Sequence, residues 1–331
     1  MRSRTKITVK RRRVFYIPGY DPIHPRRYRA LYRKEAAAQA AISGYGIELR
    51  AAGSAEQYGW RVDAAFGATA VATDVEMLVW SDIVRTSMNT SIPATYGQLV
   101  RTAWVYTSTG ALWRLMRLRK GPVIAALYPV GMLLIQLVLA FCAGVLAAWL
   151  GIFALSPLIG IWAQVIAIVI SAVAAVWVLR WFKKNDGRFF AYYLMHDYAY
   201  GAATRGAYSA QLEARLTQFS DRITDAMADD CDEVLVVGHS SGAHLGISVL
   251  ADLIRAGRVD SKGPALAFLS LGQVVPMISF LPDAARLRGD LAYLSASEAL
   301  TWADVTAPGD GCAIALCDPV AVSGVAPENK H

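Results

Sequence analysis

Three kinds of apolar and polar pattern divide the chain. The longest is a run of 59 residues, Gly121 to Leu179, without one charged side chain. A bilayer crossing takes about 20 residues, so the run is long enough for two. Gly151 and Ser156-Pro157 punctuate its middle. The pattern predicts a helical hairpin over roughly 123–149 and 157–181. Gln136, Gln164 and Ser171 interrupt it, and hydrogen bonds between the two helices are expected to satisfy them. Tyr128, Trp149, Trp177 and Trp181 fall near the expected membrane interfaces.

The second pattern is a period of three to four. It predicts amphipathic helices over 26–43 and 209–227, the latter carrying Leu212, Leu216, Phe219, Ile223 and Met227. A further helix is expected over 283–295. Gln98 to Lys120 is also helical but mixes Leu99, Trp104, Leu112 and Leu115 with Arg101, Arg114, Arg117, Arg119 and Lys120. It suits either a membrane surface or a helix covering a sheet. Tyr192 to Gly206 reads as a connecting loop or short helix. The third pattern is the short β-branched or alternating run, found over 13–17, 47–51, 74–80, 234–237, 265–271 and 299–305. Strands and helices that alternate in this way predict an α/β sheet interrupted by the hairpin. The corresponding division is a basic arm over 1–13, sheet segments over 14–120 and 182–331, and the hairpin over 121–181.

The strand Val234-Leu235-Val236-Val237 runs into Gly238-His239-Ser240-Ser241-Gly242, and a helical pattern follows up to Gly257. Strand, G-x-S-x-G and helix are the context of a nucleophile elbow. Ser240 would occupy the apex of a strained turn. Gly238 and Gly242 would remove Cβ atoms where strand and helix cross. The N–H of Ser241, at the helix start, would face an oxyanion. An earlier strand leads into Ile17-Pro18-Gly19-Tyr20, where Gly19 permits close backbone approach and the N–H of Tyr20 is the expected second oxyanion donor.

Charge sharpens the membrane reading. Residues 1–34 carry twelve Lys/Arg and one acid, Asp21, so the rest of this chain of net charge +7 is acidic. Arg114, Arg117, Arg119 and Lys120 precede the hairpin, and Arg180, Lys183, Lys184 and Arg188 follow it. Under the positive-inside rule both ends stay cytoplasmic, and the basic arm faces the anionic leaflet. The arm lacks interleaved aromatics, which argues against a nucleic-acid module. The four cysteines show neither a disulfide framework nor metal-ligand spacing, so no metal and no cofactor is expected.

Tyr16-Ile17-Pro18-Gly19-Tyr20, Val236-Val237-Gly238-His239-Ser240-Ser241-Gly242 and the strand-loop ending at Asp310 together resemble the α/β-hydrolase superfamily, more narrowly its bacterial membrane-associated members. The resemblance spans the chain apart from the hairpin and the basic arm. It implies a mostly parallel sheet with helices on both faces, and ester, thioester or amide hydrolysis through a covalent acyl-enzyme on Ser240. It also implies the chain order serine, acid, histidine. Asp310, after a late strand, is the expected acid, with Asp283 the runner-up and Asp304 pointing elsewhere. His24 and His196 precede the serine, His239 lies in the turn and His244 on the following helix. Only His331 follows Asp310, as the last residue. It is the candidate base; a truncated chain or an inactive enzyme is the alternative. The expectation is a serine hydrolase of esterase or lipase type in a bacterial inner membrane, multi-pass, with its site in the cytoplasm. Its partners would be the lipid bilayer and a small-molecule or lipid acyl substrate. A non-catalytic membrane scaffold and an acyltransferase are the competing readings.

Overall fold

The computed structural model describes residues 9–52, 58–307, 309–310, 313–314 and 317–328. His331 lies outside them. Seven strands form one sheet: β1 (Arg11–Ile17), β2 (Gly46–Ala52), β3 (Gly59–Phe66), β4 (Thr69–Met77), β5 (Glu233–His239), β6 (Ala265–Leu271) and β7 (Thr301–Val305). Their order is β2-β3-β4-β1-β5-β6-β7. The pairs from β4 through β7 are parallel, while β2-β3 and β3-β4 are antiparallel. β3 is an element the strand expectation passed over. Its signal is the alternation of Trp60, Val62 and Ala64 with Arg61 and Asp63. A two-residue turn, in which Gly67 takes φ 59°, joins it to β4. β4 therefore spans Thr69–Met77 rather than 74–80, and β1 takes up Arg11 to Arg13 from the expected basic arm.

The helices before the elbow are α1 (Arg26–Ser43), α2 (Ser81–Met88), α3 (Ile92–Ser108), α4 (Ala111–Leu118), α5 (Lys120–Ala126), α6 (Tyr128–Ile159), α7 (Trp162–Lys184), α8 (Asp186–Phe189), α9 (Ala191–Ala203) and α10 (Ala210–Met227). Those after it are α11 (Ser241–Arg255), α12 (Val275–Ser279), α13 (Ala285–Ser295) and α14 (Pro319–Val322). The serines set some of these boundaries: Ser91 caps α3 and Ser209 caps α10, each accepting an N–H from the first turn.

Alternate residues of a strand face opposite sides, and both sides are packed. Phe15, Ile17, Val234 and Val236 join Leu212 and Leu216 of α10 and Leu245, Ile247 and Leu250 of α11 in the main core. On the other side Val14 and Tyr16 pack with Trp60, Val62, Val75 and Tyr28 of α1. Parallel register brings Ile17, Gly238, Leu271 and Val305 to one edge of the sheet. The loops that follow them meet there, the usual place for a ligand crevice.

In chain order, α6 and α7 lie between β4 and β5. They pack antiparallel, with Gly144 against Ser171 and Gly151 against Ala167 and Ile170. α6 runs on through Ser156 and Pro157 to Ile159, so the reversal falls at Gly160-Ile161 and not in the expected turn between 149 and 157. Gly160 takes φ 56°, a conformation side chains disfavour. Gln136 is fully buried and its amide atoms have no hydrogen-bond partner, contrary to expectation. It lies one turn beyond Leu133, which packs on Tyr192 and Met195 of α9, so apolar side chains occupy this level. The outward faces are apolar: Phe141 is 70% exposed, Phe153 74% and Ile168 70%.

Candidate active site

Ser240 follows β5 with φ 54° and ψ −120°, one of three non-glycine residues with positive φ among those described. Such a conformation costs on the order of 1–3 kcal/mol and persists only where the surroundings enforce it. Here the surroundings do. The Ser240 N–H donates to Leu271 O at 2.9 Å. A Cβ on Gly238 would lie 2.7 Å from the Ala243 Cα, and one on Gly242 would run into the carbonyls of Ile17 and Pro18. The glycines are therefore required by the crossing of β1, β5 and α11, not merely by the turn. α11 is buried at every position from Ser241 to Leu253 except Asp252.

The loop after β1 lies against the serine. A Cβ at Gly19 would stand 3.1 Å from the Ser240 Cβ and 3.5 Å from its Oγ. Three other elements brace that loop. Trp80 Nε1 donates to Pro18 O at 2.9 Å, the Tyr193 hydroxyl to Tyr20 O at 2.6 Å, and the Tyr28 hydroxyl to Asp21 Oδ2 at 2.6 Å. Tyr20 is itself buried, its hydroxyl 2.6 Å from Ser87 Oγ. As the first residue of α11, Ser241 has no carbonyl one turn back in its helix to accept its N–H.

A cavity of about 340 Å³ opens over Ser240. Gly19, Tyr20, Ser241 and Asp310 all line it, so the structure brings together the expected nucleophile, acid and oxyanion residues. Asp310 follows β7; its carboxylate lies over Gly272, where a Cβ would meet Oδ2 at 2.8 Å, and accepts the Ala313 N–H at 3.2 Å. The other two acids are spent elsewhere. Asp283 pairs with Arg205 at 3.0 Å on the surface, and Asp304 accepts from the Ser270 hydroxyl at 2.5 Å.

Among the described histidines only His239 lines this cavity. Its ring stacks on Tyr16, and burial lowers its pKa while Asp310 and Asp21 pull the other way. The residue as a whole is exposed, which tempers that shift. His24 lies edge-on to Tyr58, and His196 Nδ1 is 2.9 Å from Gln98 Oε1. His244 is buried with Nδ1 3.0 Å from the Tyr208 hydroxyl, and burial lowers its pKa to about 3. Each is a packed or surface group.

Asp197 is the residue sequence reasoning passed over. α9, where a loop or a short helix was expected, is a 13-residue helix, and it carries Tyr193, Leu194, Asp197 and Tyr198 into the cavity wall. Burial raises the Asp197 pKa to about 7, while a hydrogen bond with Ser241 works in the opposite direction. Asp197 is half-buried by area because its open side is the cavity. Nothing local marks it: the residue stands in an aromatic run, and only the return of the chain after α7 sets it beside the elbow. No cluster of three or more metal-ligating side chains occurs among the described residues. No family model matches the sequence, no curated protein matches it, and no solved structure matches the fold.

Proposed function

We propose that the chain is a membrane-anchored serine hydrolase of the α/β-hydrolase type, acting on an ester or thioester. The observation that carries this reading is the enforced positive φ of Ser240, with the Gly19 loop against its side chain. Strain held at a half-buried serine that shares one cavity with Tyr20, Ser241 and Asp310 suits acyl transfer. Ser240 Oγ attacks the acyl carbon and its proton passes to a base. The N–H groups of Tyr20 and Ser241 stabilise the oxyanion. The C–O or C–S bond then breaks and the leaving alcohol or thiol takes up that proton. Water cleaves the acyl-enzyme and restores the serine. Asp310 orients the base, for which His331 is the candidate, and Asp197 holds the Ser241 side chain beside the oxyanion donor.

Membrane anchoring rests on α6 and α7. Each is long and apolar enough to cross a bilayer, and most of each faces outward instead of into a protein core. The basic residues at both ends favour a cytoplasmic site in a bacterial inner membrane. A cysteine placed at Ser156 is expected to react with an impermeant reagent from the periplasmic face only; reaction solely from the cytoplasm would overturn the topology. For the chemistry, nitrophenyl esters should give a burst of about one nitrophenol per chain followed by slower turnover. Loss of the burst in Ser240→Ala supports the reading, and hydrolysis equal in both proteins defeats it. A second reading, a non-catalytic scaffold, is favoured by one observation: His24, His196 and His244 are all engaged away from Ser240.

A further inference from the structure

Beside the Ser240 cavity lies a second one of about 200 Å³, walled almost entirely by apolar side chains. It is enclosed by α3, α4, α5, the start of α6, and α9. Tyr106, Tyr198 and Met277 line both cavities, so the two share a wall. The Tyr106 hydroxyl donates to Met277 O at 3.0 Å, which turns its ring rather than a polar group toward the apolar side. The rim includes Ala103, Thr107 and Leu127, all exposed. The same helices also expose large apolar side chains to the outside: Trp104 on α3, Trp113 on α4 and Ile124 on α5. Arg114, Arg117 and Lys120 stand in the same stretch, immediately before the apolar helix α6. Exposed tryptophans among basic side chains at the root of such a helix are the composition of a membrane interface.

We infer that the apolar cavity is the acyl-chain site of the Ser240 centre. The substrate is then a lipid-like ester or thioester whose chain enters from the bilayer interface between α3 and α5. Its carbonyl reaches Ser240 past Tyr106, Tyr198 and Met277. This rests on the hydrolase reading and narrows it. The polar cavity, lined by Asp21, Asp197 and His239, is left for the leaving group. An apolar pocket with polar groups confined to the reacting end is how a site orients an amphiphile.

The test uses ethyl and dodecyl fluorophosphonates on the full chain in nanodiscs, with labelling rates compared. Each methylene that leaves water adds to binding, so the dodecyl probe should label roughly tenfold faster or more. Partition into the bilayer alone would favour the longer probe in every variant. Ala103→Trp, which fills the rim, should therefore cut the dodecyl-to-ethyl ratio by about tenfold, while Ala38→Trp on the exposed face of α1 leaves it unchanged. Equal rates in the parent protein, or a ratio that Ala103→Trp does not move, overturns the acyl site and leaves the hydrolase standing. If neither probe labels Ser240, the hydrolase reading falls. The cavity is then judged by a diazirine-bearing dodecanoate on Ser240→Ala. Crosslinks on α3 or α5 that Ala103→Trp removes uphold it, and crosslinks absent from both helices refute it.

Discussion

The two walls of the Ser240 cavity are built by different physics. The elbow wall is made by backbone sterics: Gly19, Gly238 and Gly242 each stand where a methyl group would press on main chain or on the serine itself. Behind it α11 is buried almost throughout. The facing wall, from α3, α9 and the segment after β7, is made by side-chain chemistry: tyrosine hydroxyls tied to carbonyls, a carboxylate over Gly272 and a protonatable Asp197. The first wall tolerates no added atom, whereas the second tolerates change in shape but not in charge or hydrogen bonding. Substitutions in the elbow should therefore strike the fold, and those opposite should strike the chemistry.

The sharpest way to break that contrast is Asp310→Asn. It keeps the shape of the side chain and removes the charge that orients the base in the proposed mechanism. Ester hydrolysis should fall by about 10³–10⁴-fold with thermal stability nearly unchanged. A variant that loses stability as much as activity would make the far wall structural. Gly242→Ala is the converse. Its methyl meets the carbonyls of Ile17 and Pro18, which are backbone and cannot swing aside. It should cost about 3 kcal/mol or more, read as a lowered denaturation midpoint, and activity should be lost with the fold. Normal stability in Gly242→Ala would mean that the β1–α11 crossing is looser than described.

The smallest expected effect is a pH dependence at Asp197. Burial holds its folded pKa near 7, above the ordinary aspartate value of about 3.9. Below pH 4 both states are protonated and the residue contributes nothing. Between about pH 4 and pH 7 the unfolded chain releases the proton and the folded chain keeps it, so stability falls as pH rises; above 7 the penalty is constant. Thermal midpoints in nanodiscs should fall across that window in the parent protein and stay flatter in Asp197→Asn. Parallel curves for the two proteins would place the Asp197 carboxyl in water.

Much of the elbow wall was legible in the sequence because its determinants are local. Four apolar residues, a G-x-S-x-G turn and a helical period fix Ser240, Gly238, Gly242 and Ser241 within one stretch. Gly19 and Tyr20 were legible for the same reason, lying on a short turn after an apolar strand. The place of Asp310 in the Ser240 cavity was readable from its position after the last strand, whereas the pairing of Asp283 with Arg205 was not. Asp197 was not, because its surroundings arise from α9 folding back over the sheet edge. The reversal between α6 and α7 was expected between 149 and 157, and it falls at Gly160-Ile161. A proline near a helix end breaks less than its reputation suggests, and Gly160, with its positive φ, is where the chain turns. His331 lies outside the described residues, whereas Ser240, Asp310, Tyr20 and Ser241 lie within them and line one cavity.

The central claim is that Ser240 is a nucleophile. Its most direct test is the reaction of the full chain in nanodiscs with a fluorophosphonate, followed by peptide mapping of the adduct by mass spectrometry. A single phosphonyl adduct on Ser240, absent from Ser240→Ala, is the predicted result. A folded chain that carries no adduct on Ser240, or labels equally when that serine is alanine, would contradict it.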